Sequence, residues 1–136
     1  MSQGIQKKTR RGGFTLAEMM VVIVIIGLLA TLVVPNVLQK FAFASRKKAE
    51  ADLVSIKSAL TEFAVANGGK FPDSLEVLVT PDVNGHTYLE GTKIPKDPWG
   101  REYRYLNPGV RSEIDVFSLG ADGEPGGEGN NSDIYH

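Results

Sequence analysis

The sequence predicts an α+β protein in which one long N-terminal helix, transmembrane in its first half and amphipathic in its second, packs on a small antiparallel sheet. Three observations carry this. Met19–Gln39 is a run of 21 residues without a charge, enough helix at roughly 1.5 Å per residue to cross a hydrocarbon layer of about 30 Å. Ala49, Leu53, Ile56, Leu60 and Phe63 then recur at spacings of 4, 3, 4 and 3, the apolar stripe of a helix with one buried face. Past residue 100, short segments of alternating polar and aromatic residues are separated by Pro/Gly turns, the pattern of a strand meander.

Residues 1–13, MSQGIQKKTRRGG, hold Lys7, Lys8, Arg10 and Arg11, no acid and no apolar period, and read as a leader rather than as fold. Losing those four positive charges takes the chain from net −1 to −5, a balance that suggests no nucleic-acid partner. The basic cluster favours a cytoplasmic start and an outward C-terminus, although Lys40, Arg46, Lys47 and Lys48 on the far side weaken the signal. Cysteine is absent, which excludes a disulfide framework and a thiolate metal site. Outside the apolar span about a hundred residues remain, enough for one small domain.

The predicted helix begins with a transmembrane segment over 14–35 and continues over 36–67, since Asn36–Ala66 contains neither Gly nor Pro. From Phe14 to Ala66 it spans 53 residues, roughly 80 Å if unbroken. Pro35 removes one backbone bond and is expected to bend or locally melt the helix. Asn67-Gly68-Gly69 supplies the left-handed stop. A short helix is predicted over 73–79, capped by Asp73 or Ser74 and ended by Pro81. Strands are predicted over 87–90, 101–106 and 113–119. Asp97-Pro98-Trp99-Gly100 suits a type I turn, with Trp99 as a hairpin or core anchor, and Asn107-Pro108-Gly109-Val110 a type II turn with Gly109 at positive φ.

Chemistry concentrates at the two ends. Glu18 is the single carboxylate of the apolar helix, and an intramembrane charge is costly unless something pairs with it. The loop 119–134 has five glycines in ten residues, four carboxylates and two carboxamides. Two readings stand: a disordered tail, or a loop around a hard cation whose oxygens come from side chains and backbone carbonyls. The EF-hand spacing is missing. As for catalysis, His86 and Asp97 are the nearest approach to an acid/base pair, in a turn-rich region where such residues are usually solvated. There is no nucleophile-base signature and no phosphate loop, so the chain reads as a non-enzyme.

GGFTLAEMMVVIVIIGLLATLVVP, residues 12–35, resembles the class III signal sequences of type IV pilins and type II secretion pseudopilins. DPWGxxYxYxxPG, DxxSLGxDG and a late Asp133-Ile134 are similar to the major, G-type pseudopilins of type II secretion systems. The resemblance covers nearly the whole chain. It implies a pilin-like fold with a C-terminal calcium-binding loop. It also implies cleavage between Gly13 and Phe14 by a prepilin peptidase, N-methylation of Phe14, and assembly through Phe14, Glu18 and Pro35. The glutamate would meet the new N-terminal ammonium of a neighbouring subunit. Calcium would be held by the Leu119 carbonyl, Asp122 and Asp133, with Asn131 or Ser132 nearby.

The implied protein is a single-pass inner-membrane subunit with its domain, 36–136, in the periplasm. It would form a homopolymer, the pseudopilus, with minor pseudopilins and an inner-membrane assembly platform, to export folded proteins. Ala17 replaces a more usual Ile or Val, Ser132 stands where some relatives have a carboxylate, and Ile134-Tyr135-His136 replaces an ending in Gly-Asn-Trp. The alternatives are a type IV pilin or competence pseudopilin, which shares the N-terminus but not the SLGADG loop, and an ordinary exported protein cut after Ala42-Phe43-Ala44.

Overall fold

The computed structural model describes residues 1–2, 4–5 and 12–136; Lys7, Lys8, Arg10 and Arg11 of the expected leader lie outside the described residues. The chain divides into two compact units, Met1–Leu38 and Gln39–His136. One helix, α1, covers Leu16–Ala66.

In the first unit α1 is apolar all round once past Glu18 in its first turn. Its 18-residue window of highest mean hydropathy reaches 2.8, with none of it buried. Ile23, Ile26, Leu28 and Leu32 are each more than 60% exposed. A helix with no polar face is stable in lipid or among other helices, not in water. The helix is not melted at Pro35, which lies inside it. Beside it the Asn36 side chain donates to the Leu32 carbonyl at 3.2 Å, supplementing the backbone ladder where proline interrupts it.

In the second unit α1 carries its apolar residues on one face. Ala49, Leu53, Ile56 and Leu60 are fully buried and Phe63 packs against them. Each large aliphatic side chain removed from water contributes roughly 1.5–3 kcal/mol. The helix ends as the Asn-Gly-Gly sequence requires: Gly69 N–H donates to the Ala64 carbonyl at 2.7 Å, with Gly68 at φ +69°, a Schellman closure.

Against that stripe lie Leu75 and Leu78 of a 3-10 helix, Leu75–Val79, and the inner face of a three-stranded antiparallel sheet. The strands are β1, Arg104–Leu106; β2, Asp115–Ser118; and β3, Ile134–Tyr135, in the order β1-β2-β3. Tyr105 faces Val116 and Ser118 faces Ile134. Tyr103, Ile114, Val116 and Ile134 close the core. The Tyr103 hydroxyl donates to Asp52 at 2.7 Å, and burial, reinforced by that bond, raises its pKa.

Several expected elements are shorter or different. The helix over 73–79 is a single 3-10 segment, and Ser74 precedes it without a side-chain cap. No strand forms at 87–90, because the Tyr88 and Leu89 N–H groups both donate to the Leu78 carbonyl at 3.0 and 2.9 Å and so close the 3-10 helix. The strand expected over 101–106 begins at Arg104, since Arg101 and Glu102 belong to the preceding turn: Asp97 N–H donates to the Arg101 carbonyl, and Lys96 bridges Glu102.

The type II turn at 107–110 is also absent. The Asn107–Pro108 peptide is cis and Gly109 is not at positive φ. Gly109 is required for space instead, because a Cβ there would lie 2.8 Å from the Ile114 carbonyl carbon. The carboxylate of Asp115 organises this segment by accepting the backbone N–H groups of Val110, Arg111 and Ser112 at 2.7, 2.8 and 3.1 Å. It therefore shortens β2 at its start, drawing residues 113–114 into the turn. Gly120, at φ +71°, turns the chain out of β2 at its end.

Asp97 is buried, not solvated as its turn-rich surroundings suggest. One carboxylate oxygen accepts the Trp99 and Arg101 N–H groups at 3.1 and 2.8 Å, and the other accepts the Ser118 hydroxyl at 2.9 Å. That hydroxyl in turn accepts Gly120 N–H at 3.2 Å. A buried group satisfied in this way is costly to remove, because its former donors are left unpaired. Urea unfolding of Asp97→Ala should show a loss of about 3 kcal/mol; a change under about 0.5 kcal/mol would show that the link is incidental.

The Arg111 backbone N–H, followed by those of Val110 and Ser112, holds the Asp115 carboxyl below its ordinary 3.8. A folded pKa below the unfolded one gives stability that is complete above the ordinary value and is lost as pH falls through the folded one. The thermal midpoint should therefore decline from about pH 4 downward. Asp115→Asn should lower the midpoint at neutral pH and flatten that decline.

Candidate functional sites at the two ends of the chain

At the N-terminal end, Gly13 and Phe14 precede α1 and are exposed, Phe14 by 81%. The first turn carries a reciprocal pair that the sequence reading passed over. Glu18 N–H donates to the Thr15 hydroxyl at 3.2 Å, and Thr15 N–H donates to the Glu18 carboxylate at 3.4 Å. This is a capping box, and Thr15-x-x-Glu18 is its sequence signal. Glu18 is thus a carboxylate at a helix N-terminus, where the macrodipole favours negative charge, and it caps its own helix.

At the C-terminal end, residues 119–133 connect β2 to β3. The segment is therefore a closed connection and not a tail, held at its exit by the buried Ile134. Ala121 N–H donates to the Asn130 carbonyl at 3.1 Å, and Asp133 N–H to the Gly126 carbonyl at 3.2 Å. Gly120 lets the two arms touch: a Cβ on it would lie 2.7 and 2.8 Å from the Ser132 and Asn131 carbonyl oxygens.

Leu119 leads into the first arm and is half-buried; Asp122 is exposed, one oxygen accepting Glu124 N–H at 3.1 Å. Asn131 is exposed at the end of a short 3-10 turn, Gly129–Asn131. The Ser132 hydroxyl donates to the Gly129 carbonyl at 2.8 Å, and its own carbonyl accepts from Arg46 at 2.9 Å. Asp133 uses one oxygen to accept Gly126 N–H at 3.0 Å. Its other oxygen, Oδ1, is the buried side-chain atom left without a hydrogen-bond partner among the described residues.

A buried, unpartnered carboxylate oxygen is unfavourable unless a cation compensates it. The oxygen-only surroundings suit a hard ion such as Ca²⁺. Among the described residues no three Asp, Glu, His or Cys side chains gather to hold a metal. Any ion here would depend on two carboxylates supplemented by backbone carbonyls and a carboxamide. Arg101 and Arg46, both outside the predicted site, reach the loop carbonyls, and no local spacing announces either contact. The other titratable candidate, His86, is exposed; its backbone N–H donates to Asp82 at 2.9 Å and its ring lies 5.4 Å from Tyr88.

Residues 36–136 match the family model of type II secretion system protein G, and residues 8–34 match the prokaryotic N-terminal methylation motif. The type II secretion system core protein G of Vibrio cholerae is 46% identical over 138 residues, covering 96% of this chain and 94% of that protein. Its Pseudomonas aeruginosa counterpart is 40% identical over 139 residues, covering 94% and 96%. The crystal structure of the major pseudopilin from the type 2 secretion system of enterohaemorrhagic Escherichia coli is similar with a TM-score of 0.57 and 35% identity, covering 76% of this chain and 95% of that one. With a relative this similar along nearly its entire length and a family model spanning its whole C-terminal domain, the chain belongs to the type II secretion system protein G family, the major pseudopilins.

Proposed function

We propose that this chain is a structural subunit of the type II secretion pseudopilus, polymerising through its N-terminal helix to drive folded proteins across the outer membrane. The observation that carries this reading is the apolar half of α1, exposed on every side and headed by the Gly13-Phe14/Glu18 motif. Such a helix is stored in a bilayer and can exchange lipid neighbours for copies of itself. Nothing in this role needs catalysis by the chain.

In this reading a prepilin peptidase cuts between Gly13 and Phe14 on the cytoplasmic face of the inner membrane, and Phe14 is N-methylated. Cleavage leaves an ammonium on Phe14, which remains a cation after methylation. The Glu18 carboxylate, released from its bond to Thr15, neutralises that cation on an adjoining subunit. Pairing makes both charges tolerable in an apolar bundle and sets the register of addition. Pro35 marks the point where α1 yields most readily during assembly. The domain beyond it stands in the periplasm, and minor pseudopilins and an inner-membrane assembly platform are the remaining partners.

The loop 119–133 is assigned Ca²⁺ in this reading, held by Asp133, Asp122 and the Leu119 carbonyl, with Asn131 or Ser132 completing the set. A bound ion supplies the charge that Asp133 Oδ1 lacks. The chain's own part is to hold the two arms together and to exclude water from that oxygen.

Mass spectrometry of the mature protein should find N-methylated Phe14 as its first residue; Ser45 in that place would make the chain an ordinary exported protein. Glu18→Ala should be inserted and cleaved normally but assemble at least tenfold less, since an uncompensated buried charge costs about 3–5 kcal/mol; filaments at wild-type yield would refute the pairing. In detergent, chelation of Ca²⁺ should lower the melting temperature of the full chain by about 10 °C. Asp122→Ala and Asp133→Ala should each lose that dependence, whereas unchanged melting in chelator would remove calcium from the account.

A further inference from the structure

Both arms of the 119–133 loop are gripped from outside by arginines distant in sequence. Arg101 follows the Asp97–Gly100 turn, and its Nη1 donates to the Gly120 and Ala121 carbonyls, each at 3.2 Å. Arg46, on α1 next to the buried Ser45, donates through Nη1 to the Ser132 carbonyl at 2.9 Å and, at the longer distance of 3.4 Å, to that of Asn130. The first pair of carbonyls belongs to the arm leaving β2 and the second to the arm returning to β3. Bonds from a charged donor to a carbonyl are stronger than neutral ones, and a guanidinium reaches two acceptors at once without losing its charge.

The Arg101 grip is anchored on both sides. Its backbone N–H is held by the buried Asp97, whose carboxylate also holds Ser118, and Ser118 holds Gly120 N–H. Backbone, carboxylate, hydroxyl, amide and guanidinium thus form a ring that returns to the Gly120 carbonyl. Gly123 leaves the room: a Cβ there would lie 2.5 Å from the Arg101 Cζ. Residues 119–134 contain four carboxylates and no basic side chain, so the two arginines also bring positive charge to a segment that would otherwise repel itself.

We propose that Arg46 and Arg101 form a two-sided guanidinium clamp that holds the loop closed before any cation binds, acting as positioning residues for the ion-binding oxygens. The link to ion binding rests on the calcium reading above; the closure itself does not. A loop closed in advance leaves an ion little ordering to impose, so affinity depends on arginines that never touch the ion.

The test uses the full chain in detergent, as wild type and as Arg46→Ala, Arg101→Ala and Arg101→Lys. In chelator, hydrogen exchange should quicken at least tenfold at the Ala121 and Asp133 amides in both alanine variants, with the Val116 amide of β2 unchanged. Arg101→Lys, which keeps the charge but places a more strongly hydrated ammonium on a shorter, flexible stem, should recover only part of the protection. Calorimetric titration with Ca²⁺ should give a dissociation constant about tenfold weaker in either alanine variant. Unchanged exchange at Ala121 and Asp133 would overturn the clamp, as would an equal loss of protection at Val116, which would mark the arginines as general supports of the fold. Faster loop exchange with unchanged Ca²⁺ affinity would overturn the positioning role. A wild type that binds no Ca²⁺ but loses loop protection in the variants would refute the calcium reading and leave the clamp standing.

Discussion

Everything in the domain is arranged around one row of side chains on α1: Ala49, Leu53, Ile56 and Leu60, none of them accessible to water. The sheet is too small to be stable alone, with strands of three, four and two residues, and short ribbons of this kind need an apolar surface to lie on. The helix supplies it, and the 3-10 helix fills the remaining side. The core is therefore one helix deep, and the irregular segments must be fastened by polar contacts rather than by their own apolar mass.

Two buried aspartates do that fastening. Asp97 ties the Asp-Pro-Trp-Gly turn to the last residue of β2 and, through the Ser118 hydroxyl that accepts Gly120 N–H, to the start of the C-terminal loop. Asp115 gathers three N–H groups of the preceding turn. Each is an acceptor for backbone that no regular ladder satisfies. The chain has no cysteine, so closure of the C-terminal loop also falls to polar contacts: the short β2–β3 pairing, the arginines on its carbonyls and, in the proposed reading, an ion at Asp133.

The two halves of α1 answer to different solvents, and their side-chain patterns say so. From Met19 to Leu38 the helix carries no charge and is apolar all round; from Ser45 its buried residues fall on one face. The capping box at Thr15 and Glu18 belongs to the first half and gives Glu18 a partner within its own helix. A carboxylate held this way keeps the helix start ordered and sits where the macrodipole favours a negative charge.

Helix length, the buried stripe, the Gly-Gly stop, the N-terminal methylation motif and the acid-rich loop were all legible in the chain, because each is set by residues close to one another in the sequence and by the period of the helix. Even the overlooked capping box has that local character. What only the tertiary structure decided are contacts between distant residues: Arg46 with Ser132, Asp97 with Ser118, Tyr103 with Asp52. The missing strand at 87–90 and the shortened β1 and β2 have the same origin, since their backbone groups were claimed by the 3-10 helix and by the two aspartate-centred turns. A hydrogen bond satisfied by a remote partner leaves no period in the sequence, and so only the tertiary structure could place Asp133 Oδ1, buried and without a hydrogen-bond partner among the described residues.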